Sequence, residues 1–306
     1  MGSLRIHDLH EFSHGKKKDW VPKWLYHYTN PAAASQILNS GVFKCRSFTS
    51  QRDPFEKNLF KRLAISLSST TDSGMEREAT RAFNANTEAR KTRILSFSIS
   101  KPFHKRFVGK HTDKYDANKY WLGYNLLAMW EHYGISRSGS HGGVCLIIDY
   151  AAFMEQCKSV FLARGQSWWK MPIHYTNAVV GRDYITGISR KTYLSNRFIK
   201  PLLFTKAENY NYEQEYRIAY VGDDSDNSVD GTIPFGNSIR GLILGDEFNE
   251  FGDDEKTLKS IIDTKYKDID VFRMRYNVPR DPIENAQDSK NLLIRVGLIT
   301  DDKSAW

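Results

Sequence analysis

The chain has 306 residues, 40% hydrophobic and 26% charged, with a net charge of +8. That length and apolar content support a folded domain with a sizeable core and exclude a disordered or fibrous chain. No apolar stretch approaches the roughly 20 residues that cross a bilayer, so no membrane partner is expected. Aromatic residues reach 13%, and a basic, aromatic composition fits a nucleic-acid partner and a merely basic soluble protein equally well.

Residues 1–19 read as a solvated, flexible tail. His7, His10 and His14 lie near one another, but no carboxylate or cysteine constellation makes them a metal site, and Lys16, Lys17 and Lys18 follow. Residues 20–306 read as a single α+β domain without repeats or a long linker. A strand is expected at 24–29, then a helix that Asn30 caps, Pro31 opens and Gly41 ends. Next come a strand at 42–49, helices at 55–68 and 72–91, and a strand at 94–100 with Leu95, Phe97 and Ile99 alternating. Further on, a helix at 120–133 precedes a Gly/Ser loop at 134–143, a buried strand at 144–149 and a helix at 151–162. The remainder reads as strand 171–180, helix 193–206 interrupted near Pro201, strands 214–221, 241–244 and 270–276, helix 255–266 and a closing helix at 289–297.

Cys45, Cys145 and Cys157 make an odd count without metal-ligand spacing, which fits a reduced, cytoplasmic protein. Charge is uneven. Residues 101–120 carry six Lys/Arg against two Asp, residues 181–206 six against one, and residues 222–255 ten Asp/Glu against one Arg. These are either the faces of a polarised molecule or separate solvated surfaces.

Four constellations bear chemistry. In the first strand, His27 and Thr29 share one face and Tyr26 and Tyr28 the other, and the strand runs into a capped helix whose amides suit a phosphate. The same letters HYTN recur at 174–177, so one occurrence is expected to be incidental. Glu213 and Glu215, two apart on an expected strand, face one side and need a cation, a ligand or water. They are either a site or members of a structural ion-pair network with Lys206 and Arg217. Trp130, Glu131, His132 and Tyr133 end a helix before the glycine-rich loop, with Trp130 read as core. Finally, Lys105, Arg106, Lys110 and Lys114 interleave with Phe103, Phe107 and Tyr115. That is either a track for single-stranded nucleic acid or a loop with its aromatics turned inward. No phosphate loop, GxGxxG, HExxH or GxSxG is present.

Taken in order, the motifs LYHYTN, DPFE, ILSFS, MWEHYG, GVCL, IHY and YEQEYR resemble those of a widespread bacterial family formally of unknown function. That family is in turn similar to the ADP-ribosyltransferase superfamily. The resemblance covers about residues 24–221. It implies a split β-core with surrounding helices that grips NAD+ as co-substrate in a cleft. It makes His27 the contact to a ribose hydroxyl, Glu215 the catalytic glutamate and Glu213 its partner. Tyr28, Phe48 and Tyr133 are the candidates to stack nicotinamide, and Tyr28, Thr29 and Tyr133 join His27 as cofactor-binding residues. The chain departs from the pattern at Gln51-Arg52, where Phe-Asn is usual, and Arg52 suits pyrophosphate or an acidic target. It also has Tyr210 or Tyr212 in place of a Trp, and a longer loop at 135–142.

These readings lead to an ADP-ribosyltransferase that modifies a macromolecule, with RNA the expected target. The resemblance further implies a toxin or anti-phage effector with a neutralising antitoxin protein as partner. The rivals are an arginine-directed protein ADP-ribosyltransferase, an NAD+ glycohydrolase and a catalytically silent RNA-binding module.

Overall fold

The computed structural model describes residues 21–48, 91–102, 120–121, 123–124, 126–135, 142–176, 203–222, 231–249, 251–276 and 296–300. The tail at 1–19, the expected helix at 55–68 and all but the last residue of that at 72–91 lie outside these residues.

Strand β1 is Trp24–Thr29 and helix α1 is Pro31–Ser40. Asn30 caps the helix by accepting the Ala33 N–H at 2.7 Å. Gly41 ends it at φ 74°, a conformation glycine adopts without a side-chain penalty. The single strand expected at 42–49 is two, β2 (Val42–Lys44) and β3 (Arg46–Ser47). The cause is Cys45, whose N–H donates to the Gly231 carbonyl, so β2 and β3 join different sheets. Strand β4 is Thr92–Ser98, and β5 (Lys101–Pro102) pairs with β6 (Tyr120–Trp121).

The helix expected at 120–133 therefore begins as strand. Only its second half is helical, as α2 (Leu127–His132). Between the two, Gly123 lies against Tyr26, where a Cβ would come within 2.5 Å of the ring.

Strand β7 (Val144–Asp149) leads into α3 (Tyr150–Ala163), capped by Asp149 on the Ala152 N–H at 3.0 Å. The strand expected at 171–180 starts earlier, as β8 (Trp168–Pro172), followed by β9 (His174–Tyr175); residues 177–180 lie outside the described residues. Of the helix expected at 193–206, residues 193–202 lie outside, and its last two residues are strand β10 (Thr205–Lys206), drawn out by parallel pairing with β9. A 3-10 helix, η1 (Glu208–Glu213), precedes β11 (Glu215–Val221). Then come β12 (Thr232–Pro234), β13 (Ile239–Leu244), α4 (Asp253–Lys265), β14 (Asp270–Tyr276) and β15 (Val296–Thr300). The closing helix expected at 289–297 is contradicted at 296–297, where the chain is already pairing with β14.

Nine strands form one mixed sheet in the order β15-β14-β13-β7-β1-β4-β11-β8, with β3 on β4. Neighbours are antiparallel except β13 and β14. The fold is thus a mixed α/β domain around a central sheet. One face carries the larger core, in which Leu38 of α1, Phe153 of α3 and Leu258 of α4 cover Leu146 and Ile218. The other face carries Trp24, Tyr26, Tyr28, Cys145, Ile147 and Trp130, the last from α2. Strand β7 feeds both faces, which explains its unbroken apolar run. Among the described residues no helix is long and apolar enough to cross a membrane.

Candidate active site

The site follows from an incomplete ladder. One edge of β4 pairs with β11 along its whole length. Its other edge meets β3 at Ile94 and Arg93 and β1 only at Ser98, opposite Tyr26. Among the described residues no strand pairs with that edge at 95–97. A cleft of about 460 Å³ opens there, and His27, Tyr28, Thr29, Tyr133, Glu213 and Glu215 all line it. These are all the expected catalytic and cofactor-binding residues that fall among the described ones.

Glu213 and Glu215 do not share one strand, as their spacing suggests. Glu213 ends η1, Gln214 turns the chain at φ 44° and ψ 48°, and Glu215 opens β11. The turn is held at three points: Ser98 Oγ donates to the Glu213 carbonyl at 2.9 Å, the Ile99 N–H to the Gln214 carbonyl at 2.9 Å, and the Ile173 N–H to the Glu215 carbonyl at 2.9 Å.

The two carboxylates converge on Lys206 instead. Its Nζ lies 2.7 Å from Glu213 Oε2 and 3.1 Å from Glu215 Oε2, with all three side chains buried. Arg217, buried without exposure, binds Glu215 through Nε at 2.7 Å and Nη2 at 3.0 Å. Ser96 Oγ donates to the same carboxylate. Burial pushes the Glu215 carboxyl up, but Arg217 and then Lys206 outweigh it and hold the group well below the usual carboxylate range. The carboxylate is therefore charged at any ordinary pH.

Behind this cluster the Glu215 N–H donates to the Tyr175 hydroxyl at 2.8 Å. Tyr175 belongs to the second HYTN stretch. The expectation that one copy is incidental is thus corrected: His27 of the first lines the cleft, and Tyr175 of the second supports its wall.

His27 is half-buried, edge-on to Phe43 and Phe97 at 5.3 and 5.8 Å between ring centres. Its Nδ1 lies 3.4 Å from the Ser96 carbonyl. Burial lowers its pKa to about 4; the Ser96 carbonyl opposes that shift and Arg46 adds to it. The ring is neutral at pH 7 and offers one donor and one acceptor.

Among the stacking candidates, Phe48 is fully buried. Tyr28 is also buried, its hydroxyl donating to the Gly123 carbonyl at 2.7 Å and its ring edge-on to Trp130. Tyr133 is 39% exposed and stands beside His132, which in turn lies 5.9 Å from the Tyr212 ring. Tyr133 is the candidate with an open ring. Trp130 is core, as its helical spacing indicates.

Sequence reasoning missed Ser96, Lys44 and Arg46 as cleft residues. The period-two spacing of the last two, on the segment after Gly41, is the signal that points to them. Arg52, and Phe103, Lys105, Arg106, Phe107, Lys110 and Lys114, lie outside the described residues. Cys45 and Cys157 are buried thiols that burial pushes up to about 12, and burial also raises Cys145 well above the usual thiol value, so none is a ready nucleophile. Among the described residues no group of three His, Cys, Asp or Glu could hold a metal ion.

No curated protein matches this chain. A family match covers residues 129–218, which span α2 to most of β11 and so carry Tyr133, Lys206, Glu213, Glu215 and Arg217, while β1 and β4 lie outside it. Over that stretch the chain is similar to the family described as "Protein of unknown function (DUF2971)".

Proposed function

We propose that the protein is an NAD+-dependent ADP-ribosyltransferase acting on a macromolecular target, RNA in the first place, as a bacterial toxin or anti-phage effector in the cytoplasm. The observation that carries this reading is the meeting of His27, Tyr133, Glu213 and Glu215 in one cleft where the central sheet divides. The cleft volume lies within the range of small-molecule sites.

Each residue has a task. Tyr133 offers an open ring against which nicotinamide stacks. Glu215, permanently charged, faces the oxocarbenium-like ribose as the nicotinamide–ribose bond breaks and its electron pair leaves with the ring. His27, neutral, holds a ribose hydroxyl. Lys44 and Arg46 carry positive charge into the same cleft and suit the pyrophosphate. Glu213 accepts the proton of the attacking group as the new bond to ribose forms. The net charge of +8 favours an RNA acceptor.

A second reading has its own support. The pairing of both carboxylates with Lys206 and Arg217 suits a purely structural network, and then the domain is a silent RNA-binding module. Incubation with NAD+ alone, with total RNA and with total protein separates the readings. Nicotinamide release that needs RNA, with an ADP-ribose mass added to RNA, supports the proposal. Mass added to arginine indicates a protein target, and release in buffer alone a glycohydrolase. No release under any condition leaves the binding module.

A further inference from the structure

The inference below rests on the catalytic reading of Glu215. An ionised carboxylate has about four acceptor positions, two on each oxygen. On Glu215, Oε1 takes Arg217 Nε at 2.7 Å and the Ser96 hydroxyl, so it is full. Oε2 takes Arg217 Nη2 at 3.0 Å and, among the described residues, otherwise has only Lys206 beside it at 3.1 Å. Lys206 makes its shorter contact, a 2.7 Å hydrogen bond, with Glu213 Oε2. It thus has a second partner to fall back on.

Arg217 is held from both sides. Its guanidinium is fully buried, and Nη1 donates to the Leu203 carbonyl. It reaches Glu215 from two residues further along β11, on the same face of the strand. Among the described residues the other groups around Glu215 are Ser96 from β4, Lys206 from β10, Glu213 from η1, Tyr175 from β9 and Tyr133 beyond α2. Among the described residues Arg217 alone grips both oxygens with hydrogen bonds.

We propose that Arg217 is a positioning residue: its planar fork fixes the plane of the Glu215 carboxylate and leaves Oε2 as the oxygen that accepts a ribose hydroxyl, with Lys206 withdrawing onto Glu213 to admit it. The structural network and the catalytic site are then one arrangement. A lysine at 217 would keep the charge but not the fork, so charge and geometry can be separated.

The test uses the full chain, NAD+ as probe, and glutamate labelled with 13C at the side-chain carboxyl. The Glu215 resonance is assigned by its loss in Glu215→Gln. In the wild type, NAD+ should shift that resonance. In Arg217→Lys, NAD+ should still bind by calorimetry, the shift should disappear, and kcat per folded molecule should fall about 100-fold, the scale of a misplacement of about 1 Å. In Ser96→Ala, which takes one donor from the same carboxylate but leaves the fork, kcat should fall less than in Arg217→Lys and the NAD+-dependent shift should persist.

Wild-type turnover and an unchanged shift in Arg217→Lys overturn the proposal alone. Should that variant fail to fold, disappearance of the NAD+-dependent shift in Ser96→Ala overturns it instead, because the hydroxyl and not the fork then sets the plane. A wild type that neither turns over NAD+ nor shifts the Glu215 resonance overturns the catalytic reading, and the proposal with it.

Discussion

The hydroxyl of Tyr175 accepts the backbone N–H of Glu215 at 2.8 Å, across 40 residues of chain. That N–H sits where the left-handed Gln214 hands over to β11, so the hydroxyl closes the turn that presents both glutamates. Tyr175→Phe removes the acceptor and keeps the ring. The expected result is a loss of about 1–3 kcal/mol in urea unfolding, with turnover of NAD+ reduced as well. An unchanged unfolding midpoint would show that water replaces the hydroxyl at no cost.

His27 makes stability depend on pH. Its folded-state pKa is about 4 against an ordinary value of 6.5. The unfolded chain therefore binds a proton first as pH falls. The contribution of the neutral ring is complete above pH 6.5 and is lost progressively between 6.5 and 4. From pH 7 to pH 5 the expected loss is about 1–2 kcal/mol, at or below the linkage limit because the ring is only half-buried. Urea unfolding at the two pH values should show it in the wild type and not in His27→Gln. The NAD+ affinity of that variant, measured by calorimetry, should fall if the ring holds a ribose hydroxyl.

Glu215→Gln should reduce NAD+ turnover about 10²–10³-fold, the usual consequence of removing one preorganised stabiliser, while NAD+ affinity changes little. It also strands the buried Arg217 charge, so a loss of about 3–5 kcal/mol in stability accompanies it. Turnover must be measured where circular dichroism shows the variant folded. Glu213→Gln leaves Glu215 with both its cations and should lower turnover with a smaller loss, because Lys206 keeps Glu215 as a partner. If the two variants change places in rate, the roles of the glutamates are exchanged.

The RNA target is tested through Lys105 and Arg106. If they bind phosphate, RNA affinity should fall steeply with salt, with a slope of about −0.7 per contact, and NAD+ affinity should barely respond. Lys105→Ala with Arg106→Ala should flatten the slope and leave hydrolysis of NAD+ by water intact. RNA that neither binds in a salt-dependent way nor speeds NAD+ consumption would direct attention to a protein acceptor.

The parts of this fold legible in the sequence are those whose causes lie a few residues away. The strand at 24–29 and the start of α1 at the Asn30 cap both agree with the structure. The unbroken apolar run of β7 is equally direct. Elements set by remote partners are not legible. Cys45 interrupts its strand because Gly231 takes its N–H, and Thr205 and Lys206 become strand because β9 lies alongside. The same holds at the site. The spacing of Glu213 and Glu215 marks a pair of carboxylates, but a left-handed Gln214 replaces the expected pleat. What brings the pair together is Lys206, and what orients it is Ser96 and Arg217. Ser96 is more than a hundred residues away in the chain.

Gly134 and Gly143 touch backbone to backbone. The Gly143 N–H donates to the Gly134 carbonyl at 2.7 Å, and a Cβ on Gly143 would come within 2.4 Å of that carbonyl group. Gly143 in turn accepts from the Gly245 N–H at 2.8 Å, so the junction is riveted to the end of β13. Gly134 and Gly143 thus hold the chain just after α2 and just before β7 at a single fixed point. A side chain at 143 would drive the two backbones apart, and one at 134 would strike the Trp130 ring within 2.7 Å, so either replacement would unseat the junction. Engineering that lengthens or shortens the chain between them should leave the two glycines untouched.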